Sequence, residues 1–121
     1  MYLLGAIAHV ALGIAAPSIY AEFADQALVA AYTTAWNAWV VPNLWLLQPL
    51  VIVFEAGVAI ALLARGSVVR VGHVAGATFQ AGLILSGPWG PVNAGLVALH
   101  LAALRFEYPT PVSSRRIDPP A

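Results

Sequence analysis

Four apolar stretches fill most of this 121-residue chain, and each contains one conspicuous ionisable side chain. These side chains are His9, Glu55, His73 and His100. Hydrocarbon offers no hydrogen bond to a carboxyl or an imidazole, so every such group needs a partner inside the protein. The pattern therefore predicts an integral membrane protein with a partly polar interior.

Composition supports this class of protein and excludes several others. The residues are 61% hydrophobic and 8% charged, whereas soluble domains are about 45–50% apolar and 25% charged. The net charge is zero, so no basic surface for nucleic acid is expected. Cys is absent, which excludes disulfides, thiolate chemistry, iron–sulfur ligation and Cys-based zinc sites. The first residues carry no positive charge and no cleavage site follows them, so we expect the first span to stay in the mature protein.

The length of the chain allows one domain and, at about 20 residues per span, at most four or five crossings. The predicted fold class is all-α: a four-helix transmembrane bundle over residues 1–108, with an interfacial helix between the first and second spans. The predicted spans are about 3–20, 44–64, 67–86 and 91–106. In the interfacial stretch 22–43, an apolar stripe recurs at helical spacing, and Pro42 is expected to end the helix. The stripe consists of Leu28, Tyr32, Trp36 and Trp39. Residues 109–121 are polar and proline-rich, which predicts a disordered cytoplasmic tail.

Charge and tryptophan content predict the orientation. All five basic residues are Arg, and with four crossings they fall at one face. They are Arg65, Arg70, Arg105, Arg115 and Arg116. The positive-inside rule makes that face cytoplasmic, while the four Trp residues gather at the opposite interface. The sequence thus predicts a multi-pass protein of the cell (inner) membrane with both termini in the cytoplasm.

The polar residues of the spans form a candidate site, which we call the polar seam. Its members are His9, Gln48, Glu55, His73, Gln80, Asn93 and His100. With a rise of about 1.5 Å per residue, the three His and the Glu are predicted to lie roughly 9–13 Å from the cytoplasmic end. Gln48, Gln80 and Asn93 would form a second polar layer nearer the outer face.

Several kinds of chemistry fit these residue types. The four ionisable groups could simply hydrogen-bond one another and fix the helix register. Histidines on facing helices could instead ligate haem or, with a carboxylate, a transition metal, although the Glu-x-x-His signature of di-iron bundles is absent. A lone intramembrane Glu in a chain of this size is also similar to that of the small multidrug resistance transporters, whose essential Glu lies in the first helix and not, as here, in the second. In a quinone or lipid pocket, Glu55 or a His would bind a carbonyl, with Trp45 or Phe79 stacking. The sequence itself requires no cofactor, catalytic residue or metal.

Three stretches resemble the DoxX-like family of small four-helix membrane proteins. Phe54-Glu55-Ala56-Gly57 with its aliphatic continuation resembles that family's second helix, where an acidic residue precedes a Gly. Gly87-Pro88-Trp89-Gly90-Pro91-Val92-Asn93 is similar to the junction of the third and fourth helices. Ala8-His9-Val10-Ala11-Leu12-Gly13, followed by Pro17 and Tyr20, matches the opening of the same group. The resemblance implies a four-helix inner-membrane protein. It also implies, as for some members, a membrane subunit beside sulfur or thiol redox enzymes such as a thiosulfate:quinone oxidoreductase.

The functional prediction is a small membrane protein that acts as an accessory or scaffolding subunit of a membrane complex, with no catalytic activity of its own. The alternative is a ligand-handling protein that binds quinone, haem or a proton-coupled solute in the polar seam. Its expected partners are the lipid bilayer, membrane or redox proteins and a second copy of the chain, and not nucleic acid.

Overall fold

The computed structural model describes residues 1–112, and all the regular structure within that range is helical. Five helices follow one another: α1 Tyr2–Ala15, α2 Ser18–Glu22, α3 Ala30–Leu63, α4 Ser67–Gly82 and α5 Gly90–Ala103. Each predicted span overlaps one of the four longer helices. Most of the predicted tail, 113–121, lies outside the described residues.

Helix α3 differs most from the sequence prediction. It runs through 34 residues without a break, so the prediction that Pro42 ends a separate interfacial helix is wrong. A π-helical turn at Trp36–Val40 and a 3-10 turn at Val41–Asn43 join its two α-helical parts. Pro42 occupies the second position of the 3-10 turn. The altered hydrogen-bonding pattern of these two turns accommodates a ring without an N–H, so the chain continues as helix.

The first predicted span is also divided. Helix α1 ends at Ala15, and Ala16 has φ −150° and ψ 62°, because a following proline disfavours the α conformation. The chain resumes as the short helix α2 after Pro17. The prediction of one helix up to Tyr20 is therefore wrong by about one turn.

Within residues 1–112, two helical segments are long and apolar enough to cross a membrane: α3 and the 20-residue segment Ser67–Ser86, which is α4 with a 3-10 extension. Helices α1 and α5 are apolar but have only 14 residues each. They are therefore about 21 Å long, against about 30 Å for a hydrocarbon core.

The four longer helices pack around a narrow interior. Helix α1 packs along the Leu44–Leu63 part of α3, and α4 packs between that part and α5. Small residues allow these close approaches: Gly72 of α4 lies against Ala61 of α3, and Gly76 of α4 lies against His100 of α5. With so little room between the helices, polar side chains of neighbouring helices can reach one another.

Two glycines with positive φ define the ends of the bundle. Gly66, with φ 60°, forms the α3–α4 turn, and its N–H donates to the Tyr108 carbonyl at 2.7 Å. Gly87, with φ 105°, lies before α5, where the Leu28 N–H donates to the Leu85 carbonyl at 3.0 Å. We call these the Gly66 end and the Gly87 end.

The close approach at the start of α5 gives a stability prediction. A Cβ on Gly90 would collide with the backbone carbonyl of Ile84, which cannot rotate away. We expect Gly90→Ala to lower the free energy of unfolding in detergent by about 1–3 kcal/mol, a typical cost of overpacking. The control is Gly95→Ala on the same helix, where a Cβ meets open space and helix propensity favours Ala. Equal losses in the two variants would contradict the packing described.

Candidate functional site

The polar seam divides into two hydrogen-bonded groups. One lies where α1 and α2 meet and contains His9 and Tyr20, with Glu55 of α3 beside it. The other joins α1, α4 and α5 to the segment after α5 and contains Tyr2, His73, His100 and Tyr108. The four ionisable side chains predicted to share one level thus form two pairs, His9 with Glu55 and His73 with His100.

In the first group, one imidazole lies between a phenol and a carboxyl. His9 Nδ1 is 2.8 Å from the Tyr20 hydroxyl, which also lies 3.2 Å from the His9 carbonyl oxygen. His9 Nε2 is 3.8 Å from Glu55 Oε2. The Trp36 indole N–H donates to the Tyr20 carbonyl at 2.7 Å, which fixes α2 against α3. Helix α2 therefore positions the Tyr20 phenol over His9.

The second group forms an unbroken series of contacts. The Tyr2 hydroxyl is 2.8 Å from His100 Nε2, and His100 Nδ1 is 2.9 Å from His73 Nδ1. His73 Nε2 is then 3.2 Å from the Tyr108 hydroxyl. Both nitrogens of both imidazoles thus have hydrogen-bonding partners within the protein.

A single short hydrogen bond fixes the direction of this series. The Tyr108 hydroxyl donates to the Ala103 carbonyl at 2.6 Å, so it must accept from His73 Nε2–H. A neutral imidazole carries one N–H, so His73 Nδ1 then accepts from His100 Nδ1–H. In turn His100 Nε2 accepts from the Tyr2 hydroxyl, whose oxygen is 3.5 Å from the amide nitrogen of Gln80. Every donor therefore points from Tyr2 toward the Gly66 end.

Glu55 lies between the two groups. The residue is only 5% exposed, and its Oε2 makes no hydrogen bond with the described residues. A Cβ on Gly5 of α1 would lie 2.6 Å from its Oε1, so the carboxyl fills the space that this glycine leaves. It is also within electrostatic range of the Tyr2 and Tyr20 hydroxyls. A buried carboxyl without a hydrogen bond is costly, which makes it the most unusual group of the seam.

The three amides of the predicted second polar layer have separate partners. The Gln48 amide donates to the His9 carbonyl at 2.9 Å. The Gln80 amide is directed at Tyr2, as above, and the Asn93 amide donates to the Leu83 carbonyl at 3.0 Å. Each of them ties one helix to a neighbouring segment, at three different places in the bundle.

Three tyrosines of the site were missed in the sequence analysis. Tyr2 carried a usable signal, because it precedes Gly5 and His9 by three and seven residues and so shares their face of α1. Tyr20 and Tyr108 follow Pro17 and the end of α5, and no periodicity extends to them. Only the folded chain brings their hydroxyls to the histidines.

Two apolar grooves lie outside the seam. The first, between α3 and α4, is lined by side chains such as Leu50, Phe54 and Phe79. The second shares Phe79 and is bordered by Trp36 and Trp39 of α3. Among residues 1–112, no three His, Asp or Glu side chains lie close enough to hold a metal ion together.

Comparisons of the chain with protein-family models, with curated proteins and with solved structures found no match.

The contact that joins α1 to α5 gives a second prediction. Tyr2→Phe keeps the ring but removes the donor to His100 Nε2, which leaves a buried acceptor unpaired. We expect the free energy of unfolding to fall by about 1–3 kcal/mol. Tyr32→Phe is the control, since the Tyr32 hydroxyl has no hydrogen bond within residues 1–112 and its ring contact with Trp36 is retained. An equal change in the free energy of unfolding of the two variants would contradict a hydrogen bond between Tyr2 and His100.

Proposed function

We propose that the chain is a four-helix transmembrane bundle of DoxX-like type that acts as an accessory or scaffolding subunit of a membrane complex. The supporting observation is that polarity is distributed in the opposite way to a soluble protein. Polar side chains bond one another between the helices, while large apolar side chains face outward on all four longer helices. Examples are Leu4 (71% exposed), Ile14 (81%), Ile60 (71%), Val71 (64%) and Leu99 (67%).

The packing supports four crossings. Helices α1 and α5 lie alongside α3 and α4 and share one polar interior with them, so the same medium surrounds all four. Each short helix also continues toward an interface, α1 into α2 and α5 into the segment that ends with Tyr108. These continuations supply the length that 14-residue helices lack.

Charge supports an orientation with both termini in the cytoplasm. Arg65 and Arg70 lie beside the Gly66 turn, and Arg105 follows α5 at the same end. At the Gly87 end, Trp45 and Trp89 are 76% and 63% exposed, as expected at a membrane interface. The positive-inside rule then makes the Gly66 end cytoplasmic.

A subunit role agrees with the form of the surface. Neither apolar groove opens into the polar seam, and both lie on the α3–α4 face. In this proposal, the seam fixes the helix register and the grooved face contacts lipid or a neighbouring membrane protein, including a redox enzyme. A second copy of the chain is a further candidate for this contact.

Because the chain contains no Cys, single-cysteine variants can test the topology. With four crossings, an impermeant maleimide added outside should label Asp25→Cys. Ser67→Cys and Thr110→Cys should react only after permeabilisation. Thr110 is decisive, because a chain in which only α3 and α4 cross would place it outside. External labelling of Thr110→Cys would therefore exclude the four-span bundle.

The subunit role has its own test. Extraction of the protein from its native membrane in mild detergent should give a particle larger than the 12.7 kDa chain, with a second protein at fixed stoichiometry. The matched sample is the Tyr2→Phe variant, which reports whether an intact seam is needed for assembly. Recovery of the chain alone, or only as copies of itself, would contradict the subunit role.

A further inference from the structure

We propose that the polar seam is a proton path between the two ends of the bundle, with Glu55 as the carrier that connects its two hydrogen-bonded groups. This inference rests on the proposed transmembrane placement. It adds proton conduction to the scaffolding role, on the basis of the hydrogen-bond geometry.

The path has seven groups in spatial order. From the Gly87 end to the Gly66 end they are Tyr20, His9, Glu55, Tyr2, His100, His73 and Tyr108. All are protonatable, and they come from α1, α2, α3, α4, α5 and the segment after α5. The intermediate exposure of Tyr20 and Tyr108 gives each end of the path access to its surroundings.

The second group is arranged to pass a proton on. When Tyr2 receives a proton on its oxygen, its original O–H proton moves to His100 Nε2. His100 then releases its Nδ1 proton to His73 Nδ1, and His73 releases its Nε2 proton to the Tyr108 oxygen. Each imidazole gains a proton at one nitrogen and loses one from the other, whereas each phenol gains and loses a proton at its oxygen. Tyr108 completes the transfer by turning its O–H from the Ala103 carbonyl to the surroundings at the Gly66 end and releasing that proton there, so no net charge remains on any group. Imidazole suits this role because its two nitrogens separate proton uptake from release.

Glu55 is the one place where the series of hydrogen bonds is interrupted. On one side, its Oε2 lies 3.8 Å from His9 Nε2, just beyond hydrogen-bonding distance. On the other side is Tyr2, which lies three residues before Gly5 on α1, the glycine that faces the carboxyl. A carboxyl that takes a proton from His9 Nε2–H and rotates toward Tyr2 would deliver it to the phenol oxygen. Because Oε2 makes no hydrogen bond with the described residues, no such bond has to break when this side chain rotates.

His9 can supply that proton because its other nitrogen has two compatible arrangements with Tyr20. The Tyr20 hydroxyl can donate to His9 Nδ1, or it can donate to the His9 carbonyl and accept from Nδ1–H. In the first arrangement, Tyr20 passes its O–H proton to Nδ1 as Nε2 releases its proton to Glu55. A proton from the surroundings then restores the Tyr20 hydroxyl, which gives the second arrangement. The titratable groups facing Glu55 are thus His9 and Tyr2 from α1 and Tyr20 from α2.

Proteoliposomes provide the test. Purified protein is reconstituted with a trapped pH-sensitive dye, and a potassium gradient with valinomycin drives protons inward. We expect wild-type vesicles to acidify faster than protein-free vesicles, and Glu55→Gln to lower the protein-dependent rate roughly tenfold or more. Glu107→Gln is the matched control, because Glu107 is an exposed carboxyl outside the seam. It should retain the wild-type rate.

A second variant keeps the test informative if Glu55→Gln misfolds. Tyr2→Phe leaves Glu55 in place but removes the hydroxyl between it and His100, so the flux should fall as well. Circular dichroism and the cysteine-labelling pattern check that each variant is folded and inserted. Wild-type flux no greater than that of protein-free vesicles, in a protein whose labelling shows four crossings, would overturn the proton path and leave the bundle proposal intact. Full flux in a folded Glu55→Gln protein would also overturn it.

Discussion

The hydrogen bond between the Tyr2 hydroxyl and His100 joins the first helix to the last, and the arrangement of the bundle depends on it. Helix α1 packs mainly along α3, and α5 packs mainly along α4. The phenol of Tyr2 crosses the space between these pairs, where Gly76 leaves room for it beside His100. In a narrow interior that offers few other partners, such a bond determines how the two pairs of helices align.

The contacts of the remaining polar side chains follow from the same need for a hydrogen-bond partner inside the bundle. An imidazole or amide inside an apolar bundle must find a partner, and here the partners come from tyrosines, neighbouring imidazoles and helix carbonyls. Within residues 1–112 the exceptions are Glu55 Oε2 and Ser86 Oγ, which are buried without a hydrogen bond, and of these two only Glu55 belongs to the polar seam. Structural groups are normally satisfied, so an unsatisfied carboxyl between two ordered groups suggests a part that moves. The groups with hydrogen-bond partners suit the proposed role of fixing the helix register, whereas Glu55 suits the proposed role of proton carrier.

Much of the fold was predictable, and the errors have local causes. The apolar runs located all four longer helices, and the gap between the predicted spans 44–64 and 67–86 coincides with the turn at Gly66. The end of the first helix was predicted too late in the chain, because a proline at position 17 disfavours the α conformation at Ala16. The continuity of α3 was missed because a π-helical turn before Pro42 leaves no periodic signal. The pairing of His73 with His100 and of His9 with Glu55 agrees with the idea of a polar interior.

The sequence by itself determined that the chain is helical and apolar, and that its few ionisable side chains lie within the helices. Residue type and spacing decide those properties, because they act over one or two turns. Only the tertiary structure decided which of those side chains meet, since the hydroxyls of Tyr2, Tyr20 and Tyr108 reach histidines between 11 and 98 residues away. It also decided the direction of the donors, because that direction depends on the contact between Tyr108 and His73, 35 residues apart, together with the bond from the Tyr108 hydroxyl to the Ala103 carbonyl.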